Sequence, residues 1–213
     1  MGDHRIFAAI YDRLLAGTEE AGLQEMREEL LREAEGRTLE LGAGTGLNLP
    51  HYTASVTELV LTEPDRFMVA RLRRRLAAEP PAPNAVEVVE AGAERLPFED
   101  ARFDTVVSTL VFCSVDDPGE AISEVARVLC PQGRLLYLEH VRSPDSERLA
   151  RWQDRLERPW GWFAGGCHPN RPTGEALRST GLEVERQDQA QMPKAPPLAR
   201  PLIRGSARPG ASS

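Results

Sequence analysis

Hydrophobic and polar positions change period along this chain, and the changes predict its elements. Leu23, Met26, Leu30 and Leu31 recur at helical spacing between acids and arginines, so Glu19 to Glu35 reads as helix. It belongs to an N-terminal helical segment of about residues 5–35. The period then shortens. Arg37 to Leu41 reads as a strand running into glycines, and Leu59 to Thr62 as a second strand. Phe67 to Ala78 is helical and ends at Pro80-Pro81 and Pro83. Val86 to Val89 and Phe103 to Ser108 are strands, Pro118 to Leu129 a helix, and Arg134 to Leu138 a fifth strand. Strands alternating with helices of these lengths predict an α/β fold with a mostly parallel sheet covered on both faces.

After Glu139 the texture changes. Trp152, Trp160 and Trp162 fall within eleven residues, and Gly165-Gly166 follows. Residues 143–172 are expected to form a small insert over the carboxyl edge of the sheet. A helix near Thr173 to Thr180 and a strand near Leu182 to Arg186 come next. Residues from about 206 to 213 are expected to be a flexible tail. The whole is expected to be one domain, residues 1–213.

Composition narrows the function. The 213 residues are 41% hydrophobic and 28% charged, a globular mixture rather than a disordered one. No stretch approaches a membrane span, and the start lacks an apolar signal core, so the chain is expected to be cytoplasmic. Net charge is −7, which argues against a nucleic-acid partner. Cys113, Cys130 and Cys167 are widely spaced, which argues against a zinc ribbon. Lys194 is the only lysine, far from any glycine loop, which excludes a P-loop. Glu99, Asp100 and Asp104 lie at a turn and a strand start without a histidine, and no metal is expected there. The arginines at 71, 73, 74 and 75 read as a solvated helix face.

The sharpest motif is Leu39-Glu40-Leu41-Gly42-Ala43-Gly44-Thr45-Gly46. Alternate glycines permit a tight turn and close ligand approach. A dinucleotide fingerprint needs its third glycine at the sixth position, where this chain has Leu47. Nicotinamide chemistry is therefore disfavoured. Glu63-Pro64 ends the second strand about 20 residues on, where an acid can take ribose hydroxyls. Ala93-Glu94-Arg95-Leu96-Pro97-Phe98 follows the third strand, and Thr109-Leu110-Val111-Phe112-Cys113-Ser114-Val115 the fourth.

In order and spacing these four elements resemble the class I S-adenosylmethionine-dependent methyltransferases, over roughly Arg37 to His140. The resemblance implies a Rossmann-like, seven-stranded sheet. It places Gly42, Ala43, Gly44 and Gly46 around the aminocarboxypropyl arm of S-adenosylmethionine, with Glu40 at the acidic start of the motif. It puts Glu63 on the ribose, Ala93 and Glu94 beside the adenine, and Thr109 and Leu110 beneath the sulfonium. Tyr11-Asp12 is similar to a Tyr-Asp pair that helps close such sites. The fourth motif, Tyr137-Leu138-Glu139-His140-Val141, Pro159-Trp160, Gly166-Cys167 and Arg200-Pro201 further resemble the alkyl thiol methyltransferase group. A small, largely apolar thiol acceptor is thereby implied. Quinone-ring or phospholipid-amine methylation, and non-catalytic binding of S-adenosylmethionine, remain open beside it.

His140, just past the fifth strand, is the candidate base, or else it only packs the acceptor wall. His168 reads more readily as a surface residue, and Cys167 and Cys113 as structural. The tryptophans with Phe163 either form an acceptor pocket or anchor the insert.

Overall fold

The computed structural model describes residues 4–83 and 85–210. The reading of the N-terminal Met1-Gly2-Asp3, and of the tail at residues 211–213, lies outside the described residues.

Helix α1 (His4–Thr18) and helix α2 (Gln24–Leu31) are joined by a wider turn at Glu19–Leu23, where Gly22 has φ 131°. The expected helix from Glu19 is therefore broken at its glycine, the residue that adopts positive φ at little cost. Then come β1 (Gly36–Leu41), β2 (Val56–Thr62), α3 (Arg66–Ala78), β3 (Ala85–Val89), β4 (Phe103–Thr109), α4 (Pro118–Val128) and β5 (Leu129–His140). Helices α5 (Glu147–Phe163) and α6 (Thr173–Ser179) and strands β6 (Leu182–Gln191) and β7 (Pro201–Pro209) complete the order. Carboxylates cap two helices: Asp65 accepts from the amides of Phe67 and Met68, and Asp117 from those of Gly119 and Glu120.

The sheet has seven strands in the order β3-β2-β1-β4-β5-β7-β6. The first five pair in parallel, and β7 runs antiparallel between β5 and β6. Alternation along the strands divides the core. Leu39, Val60, Val106, Leu135 and Tyr137 pack with Ile122 and Val125 of α4 and Leu177 of α6. Leu59, Leu61, Val107, Leu136 and Leu138 pack with Leu30 and Leu31 of α2 and Leu72 of α3. Both faces are covered, as near-continuous apolar strands require. The edge strand β6 exposes Glu183, Glu185, Arg186 and Asp188, charges that discourage pairing with another sheet.

The tail expectation needs correction. Residues 201–209 form an inner strand, with Ser206 6% and Ala207 0% exposed. Ala207, Ser206 and Gly205 lie opposite Leu135, Leu136 and Tyr137. A Cβ at Gly205 would run into the Arg186 carbonyl and the Tyr137 hydroxyl. The small polar residues that suggest a tail are small because β6 and the Tyr137 ring press against them.

Ending the chain at Gly205 should abolish cooperative thermal unfolding, followed by circular dichroism. A midpoint equal to that of the full chain would contradict the structural role of Ser206 to Pro209.

Candidate active site

The glycine loop leaves the carboxyl end of β1, and its three glycines do different work. All have positive φ: 52° at Gly42, 57° at Gly44 and 87° at Gly46. A Cβ at Gly42 would lie 2.9 Å from Val111 Cγ2, so this glycine lets the loop dock on the turn after β4. At Gly46 a Cβ would meet Leu49 and Leu72 at 2.7 and 2.8 Å, which is core packing. At Gly44 the nearest atom is the Gly42 carbonyl oxygen at 3.9 Å, so the backbone there faces open space.

Glu63, at the end of β2, meets that open space. One carboxylate oxygen accepts from the Gly44 amide and the other from the Asp65 amide, both at 2.9 Å. Burial pushes its pKa above the ordinary carboxylate value, and the two amides oppose the shift. A cavity of about 720 Å³ opens here, bordered by Gly42, Gly44, Glu63, Pro64, Ala93, Glu94 and Leu110 among the expected residues. Phe67, Met68, Val111 and Val115 add apolar lining. Glu94 also accepts from the Asp116 amide at 2.8 Å, which joins two loops of the rim.

Glu40, Ala43 and Thr109 lie elsewhere. They border a smaller recess of about 20 Å³ beneath the loop, with Tyr11, Arg27 and Asn48. Glu40 accepts from Asn48 Nδ2 at 2.9 Å and from the Tyr52 hydroxyl at 2.7 Å. Thr109 Oγ1 accepts from Asn48 Nδ2 at 2.9 Å and from Arg27 Nη1 at 3.2 Å. Burial pushes Glu40 up to about 7, against the hydrogen bonds from Tyr52 and Asn48 and the charge of Arg27. Arg27, Asn48 and Tyr52 escape a reading by motif. Arg27 reads as one more polar residue of an amphipathic helix, yet it is only 3% exposed.

Helix α1 roofs the cavity. Asp12 accepts from Thr45 Oγ1 at 2.6 Å and from Arg75 Nη2 at 2.8 Å, tying the helix to the loop and to α3. Phe7 and Tyr11 face the cavity, and burial raises the Tyr11 phenol to about 12. A Cβ at Gly165 would strike the Phe7 ring, so the turn just after α5 meets the roof. Trp162 and Phe163 are 91% and 72% exposed and do not border the cavity. They form neither the acceptor pocket nor a buried anchor.

His140 is buried at the end of β5, behind the cavity wall rather than on it. Its Nδ1 is 3.5 Å from Cys167 Sγ, and its Nε2 has no partner among the described residues. Cys113 completes a group whose candidate ligand atoms all lie within 4.8 Å of one another. The hydrogen bond to Cys167 and burial raise Cys113 well above the ordinary thiol value, whereas the bond from Cys113 lowers Cys167. Residues 54 positions apart thus meet, which their spacing conceals. His168 instead pairs with Glu157 at 2.8 Å, half-exposed. Asp104 pairs with Arg37 and Asp100 with Arg127.

Residues 39–137 match the methyltransferase domain model. The chain is 31% identical over 176 residues to thiol S-methyltransferase TMT1B of Homo sapiens, covering 78% of this chain and 72% of that protein. It is 32% identical over 159 residues to the Rattus norvegicus TMT1B, covering 75% of this chain but only 63% of the rat protein. This chain belongs to the S-adenosylmethionine-dependent methyltransferase family. A SAM-dependent methyltransferase of Thermotoga maritima, described as a possible histamine N-methyltransferase, has the same fold: TM-score 0.67, 22% identity and 98% coverage of both chains. No helix among the described residues is long and apolar enough to cross a membrane.

Gly44→Ala should fold, at a cost of about 1–2 kcal/mol for the left-handed backbone, and should lose affinity for S-adenosylhomocysteine by calorimetry. Gly46→Ala should lose a further 1–3 kcal/mol, roughly, to overpacking in urea denaturation. Equal affinity in Gly44→Ala would show that the loop does not cradle the ligand. A second expectation concerns pH. Glu40 has a raised folded pKa, so its contribution to stability is present below about pH 4.5 and is lost as pH rises through about 7. Glu40→Gln should therefore gain on the parent chain between pH 5 and 8, by up to about 3 kcal/mol in chemical denaturation.

Proposed function

We propose that this chain binds S-adenosylmethionine along the glycine loop and passes its methyl group to the sulfur of a small, largely apolar thiol. The likeness to thiol S-methyltransferases, 31% identity over 72% of the human protein, carries the choice of acceptor. The chain works as one domain, with residues 143–172 as its lid.

The residues fit the cofactor. A carboxylate offers about four lone-pair sites, and the Gly44 and Asp65 amides use one on each oxygen of Glu63. One site per oxygen is left for two vicinal ribose hydroxyls. Gly44 gives close backbone approach, Gly42 and Gly46 hold the loop's path, and Pro64 turns the chain beside the ribose. Ala93 and Glu94 border the base. Leu110 lies under the reacting centre, and Tyr11 closes the roof. Glu40, Ala43 and Thr109 support the loop from below, with Arg27 and Asn48.

When bound, S-adenosylmethionine supplies a methyl group already activated by a positive sulfur. The chain's task is then to hold the acceptor close and collinear, worth roughly 7–11 kcal/mol. Phe67, Met68, Val111 and Val115 give an apolar wall that excludes water. A thiol has a pKa of about 8.5 or somewhat higher, and its thiolate is the nucleophile. His140 is buried and does not border the cavity, so in this reading it packs behind the acceptor wall and leaves the thiol proton to solvent.

The test is S-adenosylhomocysteine formation with an alkyl thiol, a quinol and a phosphatidylethanolamine amine. Thiols should turn over fastest. A faster quinol or amine would reassign the acceptor, and binding without product in every arm would make the chain a binding protein. His140→Ala should lower the rate of thiol methylation by a factor that does not depend on pH, as for a packing residue. A loss confined to pH values below the thiol pKa would make His140 the base.

A further inference from the structure

We infer that Cys113, His140 and Cys167 form a three-ligand site for a soft divalent cation, with zinc as the probe. Their ligand atoms come from three separate segments: the turn after β4, the end of β5 and the loop after α5. All three residues are buried and lie within 4.8 Å of one another at their ligand atoms. Tetrahedral zinc, with Zn–S about 2.3 Å and Zn–N about 2.0–2.1 Å, spans an N···S edge of about 3.6 Å. The separation of His140 Nδ1 and Cys167 Sγ is 3.5 Å.

Charge favours the same occupant. Two thiolates and one divalent cation sum to zero, and a neutral imidazole adds nothing. Such a set resides in a buried place without the desolvation cost of a lone ion. On binding, the two thiol protons leave for solvent, and His140 ligates through Nδ1 while Nε2 keeps the ring proton. His140 is 8% exposed, and its Nδ1 contact with Cys167 Sγ is long, at 3.5 Å. The contacts of Cys113 Sγ with the Leu110 carbonyl and Ser114 Oγ are equally long, at 3.5 Å each.

Three protein ligands leave a fourth position, which a water can fill. None of the three borders the large cavity, so the cation would tie together the turn after β4, the end of β5 and the loop after α5 behind its wall.

The experiment titrates the reduced, full-length chain with zinc against a chromophoric chelator. One equivalent should bind. Cys113→Ser, Cys167→Ser and His140→Ala should each weaken binding about tenfold or more, while Cys130→Ser, at a separate surface place, should leave it unchanged. Should the variants fail to fold, the parent chain gives its own readout by alkylation and mass spectrometry. Zinc should protect Cys113 and Cys167 and leave Cys130 as reactive as before. No bound zinc, or binding without protection of that pair, overturns the site.

Discussion

The cavity's inner wall hangs from one buried carboxylate. Glu139 is 0% exposed and accepts from Ser108 Oγ at 2.6 Å and from the Val111 and Phe112 amides at 3.1 Å each. The turn after β4 leaves those two amides without ladder partners, and an unpaired buried amide costs roughly 1–3 kcal/mol. Their capture holds Leu110 at φ 60°, a conformation that a leucine rarely keeps without such support. Burial in turn drives Glu139 up to about 7, against the hydrogen bonds from Ser108, Val111 and Phe112. From this clasp follow the placement of Leu110 and Val111 on the cavity, the docking of Gly42 on Val111, and the position of Cys113.

The three acidic residues at the strand ends divide their labour by what they are hydrogen-bonded to. Glu139 serves the turn after β4, and Glu40 serves Asn48 and Tyr52 beneath the loop. Glu40 and Glu63 each accept one hydrogen bond on each oxygen, but of these three acids only Glu63 borders the large cavity. Proximity to a glycine motif therefore does not by itself bring a carboxylate to the cavity.

Much of this was legible in the order of residues. Local period fixes β1 to β4 within a few positions, because β1, β2 and β4 carry runs of buried residues and the half-buried β3 is valine-rich and follows a proline-rich stretch. The meeting of the loop with Glu63 was legible because both follow the carboxyl ends of consecutive strands, which an alternating α/β order makes parallel neighbours. Three features were not. Strand β7 has the small, basic composition of a tail, and only its neighbours Tyr137 and Arg186 explain it. Arg27 looks like the polar face of a helix until Asn48 and Thr109 close over it. Cys113 and Cys167 meet only because the segment after α5 returns to the end of β5, a contact that no spacing rule encodes.

The place of β7 between β5 and β6 also governs how the molecule can be made. Its nine residues, Pro201–Pro209, supply the inner partner for both neighbours. While a ribosome is still translating the preceding part, β5 has an open edge and β6 no strand to join. Such unpaired edges invite aggregation, and pairings this distant in sequence form slowly. The emerging polypeptide is therefore most vulnerable to misassociation, and most dependent on chaperones, just before synthesis of residues 201–209 is complete.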